Sequence, residues 1–286
     1  MAHVEGLPAG TECTNQLVSV VTVSLNAART IEDTIASVSF QQADFGFEHV
    51  CVDGGSTDGT REIIDRWASR SSRVRRIYES DSGIFDAMNK GLRAARGEYV
   101  LFLNADDFLI SANTLATAMR GLASQSADNP DLVVGNVCMG QPEANGLWRH
   151  RKVPALLGRV RGFGLYPPHQ GMFAKRELLA RVGGFDARCR FAGDLIQYYD
   201  LERQFALSMR RLTACVAFMR AGGAANSGWS AIFGGSAEIY SHARSTRGVA
   251  RAAATVFVKS VQSVCEVRYG PLSQKRWFAQ AQQPSE

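Results

Sequence analysis

The sequence predicts an α/β protein with a doubly wound, mostly parallel sheet. Nearly continuous apolar runs of strand length begin at Leu17 and Tyr99, as expected of strands whose two faces are covered by helices, and a further strand is predicted at Glu48–Val52 between them. Segments with apolar residues at three- and four-residue spacing lie between these runs, which is the pattern of amphipathic helices. Polar side chains follow each run directly. They would lie at the carboxyl ends of parallel strands, where open α/β sheets bind their ligands.

The first half of the chain alternates strands and helices in a regular order. The predicted elements are a strand from Leu17, a helix with Ile31, Ile35 and Val38 inside, a strand at Glu48–Val52, a helix with Ile63, Ile64 and Trp67 inside, a strand at Val74–Tyr78, a helix with Ile84, Met88, Leu92 and Ala95 inside, and a strand at Tyr99–Leu103. Thr30 followed by Asp33 resembles a capping box at the start of the first helix. Lys90 is expected on the solvent-exposed face of the third helix.

The second half is less regular. We predict a helix at about Asn113–Ala123, a strand at Asp131–Val137, an irregular segment at Gly140–Gly164, a strand at Gly171–Ala174, a helix at Arg176–Val182, a helix opened by Asp194, a strand at Thr213–Met219, a flexible glycine-rich loop at Ala221–Gly235 and an amphipathic helix at Val249–Val267. This order divides the chain into a disordered leader (1–16), a main domain (17–220) and a C-terminal extension of loop and helix (221–286). Within the main domain, residues 17–110 form a ligand-binding half and residues 111–220 a second half.

Composition narrows the class of protein. The chain has 286 residues, 45% of them hydrophobic, with a net charge of +5 and a pI near 9.0, so a large core is expected and no nucleic-acid partner is predicted. No apolar run approaches the roughly 20 residues of a membrane span, and no signal-peptide pattern is present. We therefore expect a cytoplasmic protein. Its six cysteines lack ligand-like spacing and are expected to be reduced thiols.

An acidic pair follows the strand at Tyr99–Leu103. Asp106 and Asp107 would lie at the carboxyl end of that strand, where two adjacent carboxylates repel each other unless a cation is present. Mg²⁺ typically takes one or two carboxylates together with the phosphates of a substrate. The pattern therefore predicts that Asp106 and Asp107 bind Mg²⁺ or Mn²⁺ carrying a diphosphate.

Six motifs in a fixed order identify a family resemblance. They are SVVTVSLN, VDGGSTDGT, SDSGIFDAMNKG, GEYVLFLNADD, HQGMFAKRELLARVGGFD and AGD, and the resemblance covers roughly Leu17 to Glu238. Together they resemble family 2 of the GT-A glycosyltransferases, particularly the bacterial members that build polysaccharides or glycolipids. The resemblance implies a GT-A fold with a nucleotide-binding half and an acceptor-binding half. It also implies an inverting, metal-dependent transfer of a sugar from a nucleotide-sugar donor, usually a UDP-sugar, to a hydroxyl of a glycan or lipid-linked acceptor.

The resemblance assigns a role to each motif. It implies nucleotide contacts at Ser24, Asn26, Asp81 and Gly83, a contact with the base at Asp53, a DXD-like metal and diphosphate site at Asn104, Asp106 and Asp107, and a catalytic base at Asp194. His169 is expected to reach the diphosphate or the metal. This chain departs from the family pattern at Asn104, which carries no charge in the first DXD position, and after Asp194, where relatives tend to place a second acid.

Each functional role has a plainer alternative. Asp53 and Asp58 could cap the following helix, Asp106 and Asp107 could be a solvated pair capping the next one, Asp194 could be an ordinary N-cap, and His169 could be structural. A non-catalytic nucleotide-sugar-binding or scaffold protein on the same fold is the alternative function. A dinucleotide-dependent oxidoreductase is disfavoured because the loop from Asp53 lacks GxGxxG spacing after the first strand.

Basic and apolar residues alternate in the last third of the chain. Arg244, Arg247, Arg251 and Lys259 lie there with few acids nearby. This pattern suggests peripheral contact of the C-terminal helix with the inner face of an anionic plasma membrane. Packing of that helix on the core, or on a second subunit in a homo-oligomer, is the alternative.

Overall fold

The computed structural model describes residues 16–122, 126, 128–140, 148–151, 166–220, 229–248, 252–258 and 269–270. The predicted leader, most of the irregular segment, the first part of the glycine-rich loop and most of the predicted terminal helix lie outside the described residues.

The strands form one large sheet. They are β1 (Gln16–Ser24), β2 (Gly46–Asp53), β3 (Val74–Tyr78), β4 (Tyr99–Phe102), β5 (Phe108–Leu109), β6 (Leu132–Gly140), β7 (Trp148–Arg151), β8 (Met172–Lys175), β9 (Met209–Arg220) and β10 (Tyr269–Gly270). The order is β10-β7-β6-β8-β4-β1-β2-β3, with β9 beside β6 and β5 beside β9. The predicted strand positions in the first half are confirmed.

The helices cover both faces of this sheet. They are α1 (Ile31–Ser39), α2 (Thr60–Ala68), α3 (Ile84–Ala94), α4 (Thr114–Met119), α5 (Arg176–Arg181), α6 (Gly193–Gln204) and α7 (Trp229–Arg247), with a 3₁₀ turn at His169–Gly171 and a further helical stretch at 252–258. Among these, none is long and apolar enough to cross a membrane.

Strand direction divides the sheet into two regions. β3, β2, β1 and β4 are all parallel, which confirms the doubly wound half. Beyond β4 the sheet is mixed, because β8 runs antiparallel to both β4 and β6 while β9 runs parallel to β6. The parallel strands all end at one edge of the sheet, so their carboxyl-terminal side chains converge there.

The core lies on both sides of the parallel strands. On one face, Met88 and Leu92 of α3 join Val21, Val50 and residues of α5 and α6. On the other face, Ile31 and Ile35 of α1 pack with Ile64 and Trp67 of α2. Burying these apolar faces stabilises the fold by roughly 25 cal/mol for each Å² removed from water.

The prediction for α3 was partly wrong about which face is buried. Ile84 is 41% exposed, and Phe85 is buried in its place, where its ring stacks on Phe185 at 5.6 Å. Lys90 is only 8% exposed, and its Nζ lies 3.0 Å from Glu79 Oε1 and donates to Ser80 O at 2.5 Å. Its long side chain can therefore be buried because the ammonium group is paired.

Two further predictions of local structure were wrong. The Thr30 side chain does not cap α1; its Oγ1 donates to Ala27 O at 3.4 Å instead, and Asp33 is ion-paired with Arg220. The predicted flexible loop at Ala221–Gly235 ends early, because α7 begins at Trp229. Burial of Ile239 and Ala243 explains why this segment is helical.

Candidate active site

The predicted site residues of the first half converge at the carboxyl edge of the parallel strands. Ser24, the last residue of β1, is in register with Asp53, the last residue of β2. Asp53 is in turn in register with Tyr78, where β3 ends. Leu103 N donates to Val21 O at 2.9 Å, so the segment after β4 emerges beside β1. The edge therefore gathers the predicted donor-binding residues.

Asp53 is a buried and fully hydrogen-bonded carboxylate. Its exposed fraction is 0%. Oδ1 accepts from Gly55 N at 3.1 Å, Ser56 N at 2.9 Å and Arg61 Nε at 2.7 Å. Oδ2 accepts from the hydroxyls of Ser24, at 3.0 Å, and Ser56. Five donors therefore converge on one side chain, which organises the whole loop.

These hydrogen bonds decide the protonation state of Asp53. Burial acts to raise its pKa, but the hydrogen bonds from Ser56, Arg61 and Gly55 outweigh burial and hold the pKa below its ordinary value. Asp58 has a related role at the end of the loop, because it accepts from Thr60 N at 3.1 Å and Ala28 N at 3.0 Å. The structure is thus compatible with the capping alternative for Asp58, whereas the backbone N–H groups that bond to Asp53 belong to the loop and not to α2. The predicted base contact of Asp53 stays a prediction.

Asn26 connects the end of β1 to the same loop. Its Oδ1 accepts from Thr57 N at 3.0 Å, and its own N–H donates to Ser56 Oγ at 2.7 Å. Its φ of 53° lies in the left-handed region, which asparagine tolerates better than most residues. Its side chain is exposed, so Asn26 borders the open side of the edge.

Asp81 lies directly over Gly54. A Cβ atom on Gly54 would come within 2.0 Å of Asp81 Oδ2, so the carboxylate occupies the space that a side chain at position 54 would need. Asp81 Oδ1 accepts from Gly83 N at 3.0 Å. Gly83 has a φ of 142° at the start of α3, a conformation that favours glycine. The turn therefore holds a partly exposed carboxylate against the backbone of the Asp53 loop.

The two carboxylates of the acidic pair differ in their surroundings. Asp107 is 1% exposed; its Oδ2 accepts from Gln170 Nε2 at 3.0 Å, and its Oδ1 accepts from Arg220 N at 3.2 Å. Burial, and then the charge of Asp106, raise the pKa of Asp107 well above its ordinary value. The predicted repulsion between the two acids is therefore present.

Asp106 is partly buried, and among the described residues only its own backbone N–H donates to its carboxylate. Burial raises its pKa, and the hydrogen bond from its own backbone N–H and the positive charge of Arg220 oppose that rise. Neither acid caps the next helix, because α4 begins at Thr114 after Asn113. Asp106 thus carries an ionisable carboxylate without the set of donors that Asp53 has.

A hydrogen-bonded chain joins Asn104 to Asp194 through His169. His169 Nδ1 lies 3.1 Å from Asp194 Oδ2, and His169 Nε2 lies 3.4 Å from Asn104 Nδ2. The contacts assign one tautomer, in which Nδ1–H donates to the carboxylate and Nε2 accepts from the amide. The chain thus connects the end of β4 with the first turn of α6. Sequence reasoning predicted all three residues but not that they touch.

Asp194 is not the N-cap of its helix. That position belongs to Ala192, and Asp194 Oδ1 accepts from Leu195 N at 2.8 Å. The N-cap alternative is therefore wrong.

The donor set fits a hard divalent cation shared with a diphosphate. The buried Oδ1 of Asn104 has no hydrogen-bond partner among the described residues, and unpaired buried acceptors are rare. It lies two residues from Asp106, whose carboxylate is similarly under-supplied with donors. No cluster of three or more His, Cys, Asp or Glu side chains suited to a metal occurs in the described parts of the chain. Protein ligands alone would therefore not complete the shell, as is usual for Mg²⁺ bound through substrate phosphates.

Several contributing residues were missed by sequence reasoning. Gln170 and Arg220 hold Asp107, and Arg61 holds Asp53. Gln170 adjoins His169 in the HQGMFAKRELLARVGGFD motif, which was a usable signal for its place in the site but not for its bond to Asp107. The sequence offers no such signal for Arg220 and Arg61, because single arginines outside a motif resemble surface residues. Arg176, the first residue of α5, donates to Gly97 O at 3.0 Å, at the opposite end of β4.

The chain is similar to known glycosyltransferases. The family model of glycosyl transferase family 2 matches residues 19–189. A PGL/p-HBAD biosynthesis glycosyltransferase of Mycobacterium tuberculosis is 34% identical over 178 residues, which cover 62% of this chain and 66% of the relative. TuaG of Bacillus subtilis, a glycosyltransferase named for teichuronic acid biosynthesis, is 46% identical over 92 residues, or 32% of this chain and 36% of TuaG. The matched regions thus span less than two thirds of these relatives.

Two solved structures illustrate the same fold. S. aureus TarS 1-349 in complex with UDP-GlcNAc superposes with a TM-score of 0.61 at 19% identity, covering 87% of this chain and 73% of TarS 1-349. The mannosyltransferase PcManGT from Pyrobaculum calidifontis, in complex with GDP-Man and Mn²⁺, has a TM-score of 0.59 at 22% identity, covering 96% and 82% of the two chains. At these identities the likeness establishes the shared GT-A fold alone.

Proposed function

Because this chain belongs to glycosyl transferase family 2, we propose that it is an inverting, metal-dependent glycosyltransferase. It moves a sugar from a nucleotide-sugar, preferentially a UDP-sugar, to a hydroxyl of a glycan or lipid-linked acceptor. The observation that carries this proposal is the chain from Asn104 through His169 to Asp194. It connects the strand-end site for a diphosphate with a carboxylate that can take a proton.

The nucleotide is proposed to bind over the loops that follow β1, β2 and β3. Asn26 and Asp81 supply partly exposed polar atoms, and Gly54, Gly55 and Gly83 let a ligand approach the backbone closely. Ser24 and Asp53 support this surface from below, since their polar atoms bond to each other and to the loop. Asp81 is therefore the better-placed carboxylate to contact the base or ribose, and Asp53 keeps the loop in shape.

Asp106 is the proposed metal ligand, with Asp107 behind it. When bound, Mn²⁺ or Mg²⁺ would neutralise the charge that develops on the departing diphosphate. Asn104 Oδ1 is free to accept a hydrogen bond from a ribose hydroxyl or from ordered water. Asp107 fixes the backbone after Asp106 through its bonds to Gln170 and Arg220.

Asp194 is the proposed general base. It accepts the proton of the acceptor hydroxyl while that oxygen attacks the anomeric carbon and the bond from that carbon to the diphosphate oxygen breaks. One displacement of this kind inverts the anomeric configuration. His169 donates from Nδ1 to one oxygen of Asp194, so the carboxylate is held in a defined orientation.

The partners that follow are a nucleotide-sugar donor and a sugar or lipid-linked acceptor. The names of the relatives, which refer to PGL/p-HBAD and teichuronic acid biosynthesis, support acceptors of the cell envelope. An acceptor of that kind would bring the protein to the inner face of the plasma membrane. Contact of the basic C-terminal region with that membrane and a homo-oligomer remain proposals.

The alternative function is a nucleotide-sugar-binding protein without catalysis. The uncharged Asn104 in the first DXD position is the feature that favours it. Under this alternative the fold binds donor, but Asp194 has no chemical role.

Replacement of Asp194 by Asn separates the two functions. We expect the variant to bind UDP-GlcNAc or GDP-mannose with Mn²⁺ as wild type does, measured by thermal shift, while release of UDP or GDP falls by roughly 10²- to 10⁴-fold. Glu177→Gln, an exposed change on α5, is the control. Turnover that survives in Asp194→Asn would sink the base assignment, and a wild type that binds donor without turnover would favour the binding protein.

A further inference from the structure

Glu238 of α7 accepts hydrogen bonds from three consecutive backbone N–H groups. Its Oε1 accepts from Arg190 N at 2.8 Å, and its Oε2 accepts from Phe191 N at 3.1 Å and Ala192 N at 2.9 Å. These residues immediately precede α6, whose first two residues are Gly193 and Asp194. A side chain from a different helix thus secures the segment that delivers Asp194.

The physical need for this contact arises at the start of α6. The first N–H groups of a helix have no partner within it, and the N-cap Ala192 has no side-chain oxygen to supply one. A carboxylate at this end is also favoured by the helix dipole. Glu238 satisfies the N–H of this N-cap residue and those of the two residues before it, while the N–H of Leu195 in the first turn bonds to Asp194 Oδ1.

Close packing on both sides limits movement of the same segment. A Cβ on Gly193 would come within 2.8 Å of the Phe85 ring on α3, and a Cβ on Gly234 would come within 2.6 Å of the Phe191 ring. Further along the two helices, His242 Nε2 lies 3.3 Å from Asp200 Oδ1. Residues 190–194 are thus held between α3 and α7.

We propose that Glu238 is a positioning residue for Asp194, so that α7 is part of the active site rather than an appendage. This inference rests on the proposed function, in which Asp194 is the base. Neither residue lies in the segment matched by the family model, which ends at residue 189. A displacement of about 1 Å in a reacting group can lower a rate by roughly 10²-fold, so three backbone hydrogen bonds at this point matter for catalysis.

Amide hydrogen exchange tests the structural part directly. In the full chain, Glu238→Ala should raise the exchange rates of the 190–192 amides by on the order of tenfold or more, since each loses its acceptor. Amides of β1 and β2 should keep wild-type rates. Ser241→Ala, an exposed change on the same helix, is the control. Unchanged exchange at 190–192 in the variant would overturn the proposal.

Steady-state kinetics test the catalytic part. With UDP-GlcNAc and GDP-mannose as probes and Mn²⁺ present, Glu238→Ala should lower kcat for nucleotide release by roughly 10- to 100-fold and leave KM for the donor unchanged. Glu238→Gln keeps one acceptor oxygen, so its kcat should lie between those of wild type and Glu238→Ala. The double variant Glu238→Ala with Asp194→Asn should be no slower than Asp194→Asn alone. Full kcat in a folded Glu238→Ala protein would contradict the proposal.

The two hypotheses fail in different ways. If Asp194→Asn keeps wild-type turnover, the proposed base is wrong whatever Glu238 does. If Asp194→Asn loses turnover while Glu238→Ala keeps it, the base assignment holds and the positioning role of Glu238 is wrong.

Discussion

The carboxylate at the end of β2 and the carboxylates after β4 lie at the same edge of the sheet but in opposite electrostatic situations. Asp53 is fully buried, yet five donors keep it ionised with a lowered pKa. Asp106 is less buried, yet burial raises its pKa, because few donors are present to offset that effect. The number of hydrogen bonds, rather than burial, therefore separates a structural carboxylate from one suited to a cation.

The largest expected effect is on turnover, at Asp106. Asp106→Asn should lower nucleotide release from UDP-GlcNAc or GDP-mannose with Mn²⁺ by on the order of 10³-fold, since stabilisation of the leaving group by a metal is worth several kcal/mol. Its melting temperature should equal or exceed that of wild type, because a carboxylate short of donors is removed. Asp44→Asn, an exposed acid on a loop, is the control. A large loss of stability would mean that Asp106 is structural, as Asp53 is.

Replacement of Asp53 should lower the stability of the fold, in contrast to replacement of Asp106. Asp53→Asn leaves Arg61 without its partner and turns an acceptor into a donor toward several N–H and O–H groups, so the free energy of unfolding should fall by about 3 kcal/mol. Denaturant titration measures this. A variant as stable as wild type would remove the distinction between the two carboxylates.

The pH dependence of stability follows from the lowered pKa of Asp53. Because the folded state lowers the pKa of Asp53 below its ordinary value of 3.8, this side chain contributes stability above that pH. The contribution is lost as the pH falls through the lower folded pKa. Thermal unfolding between pH 7 and pH 2 should therefore show a steeper acid decline in wild type than in Asp53→Asn. Parallel curves would contradict the assigned protonation state.

A smaller effect, on KM for the donor, is expected at Gly54 in the proposed nucleotide site. Gly54→Ala places a methyl group against Asp81 and should displace that carboxylate. If Asp81 contacts the nucleotide, KM for the donor should rise by roughly tenfold, or about 1.4 kcal/mol, with kcat little changed. The double variant with Asp81→Ala should be no worse than Asp81→Ala alone. Additive losses would mean that Gly54 acts independently of Asp81.

The contrast between local patterns and contacts between distant residues explains which features could be predicted from the sequence. The parallel half was predictable because long apolar strands and helix faces such as Ile31, Ile35 and Val38 are local patterns. Ser24, Asp53 and Asp106 were predictable because they follow strands directly or closely, whereas His169 and Asp194 were assigned through the family resemblance. The hydrogen bonds to Asp107 from Gln170 and Arg220, and those to Glu238, join residues far apart in sequence, and no local pattern encodes them. Lys90 was misassigned for a similar reason, since its burial depends on Glu79 and the backbone of Ser80.

The smallest effect should come from Thr30, where the sequence resembles a capping box that does not form. Its hydroxyl donates to Ala27 O at 3.4 Å, a long contact, and no side-chain cap is made at α1. Thr30→Ala should therefore change the free energy of unfolding by less than about 0.5 kcal/mol, against the roughly 1 kcal/mol lost with a true N-cap. Urea denaturation of the variant beside wild type measures the difference. A loss near 1 kcal/mol would mean that the hydroxyl caps α1 in solution. An N-terminal N–H of this helix would then depend on a side-chain acceptor, as the loop N–H groups depend on Asp53.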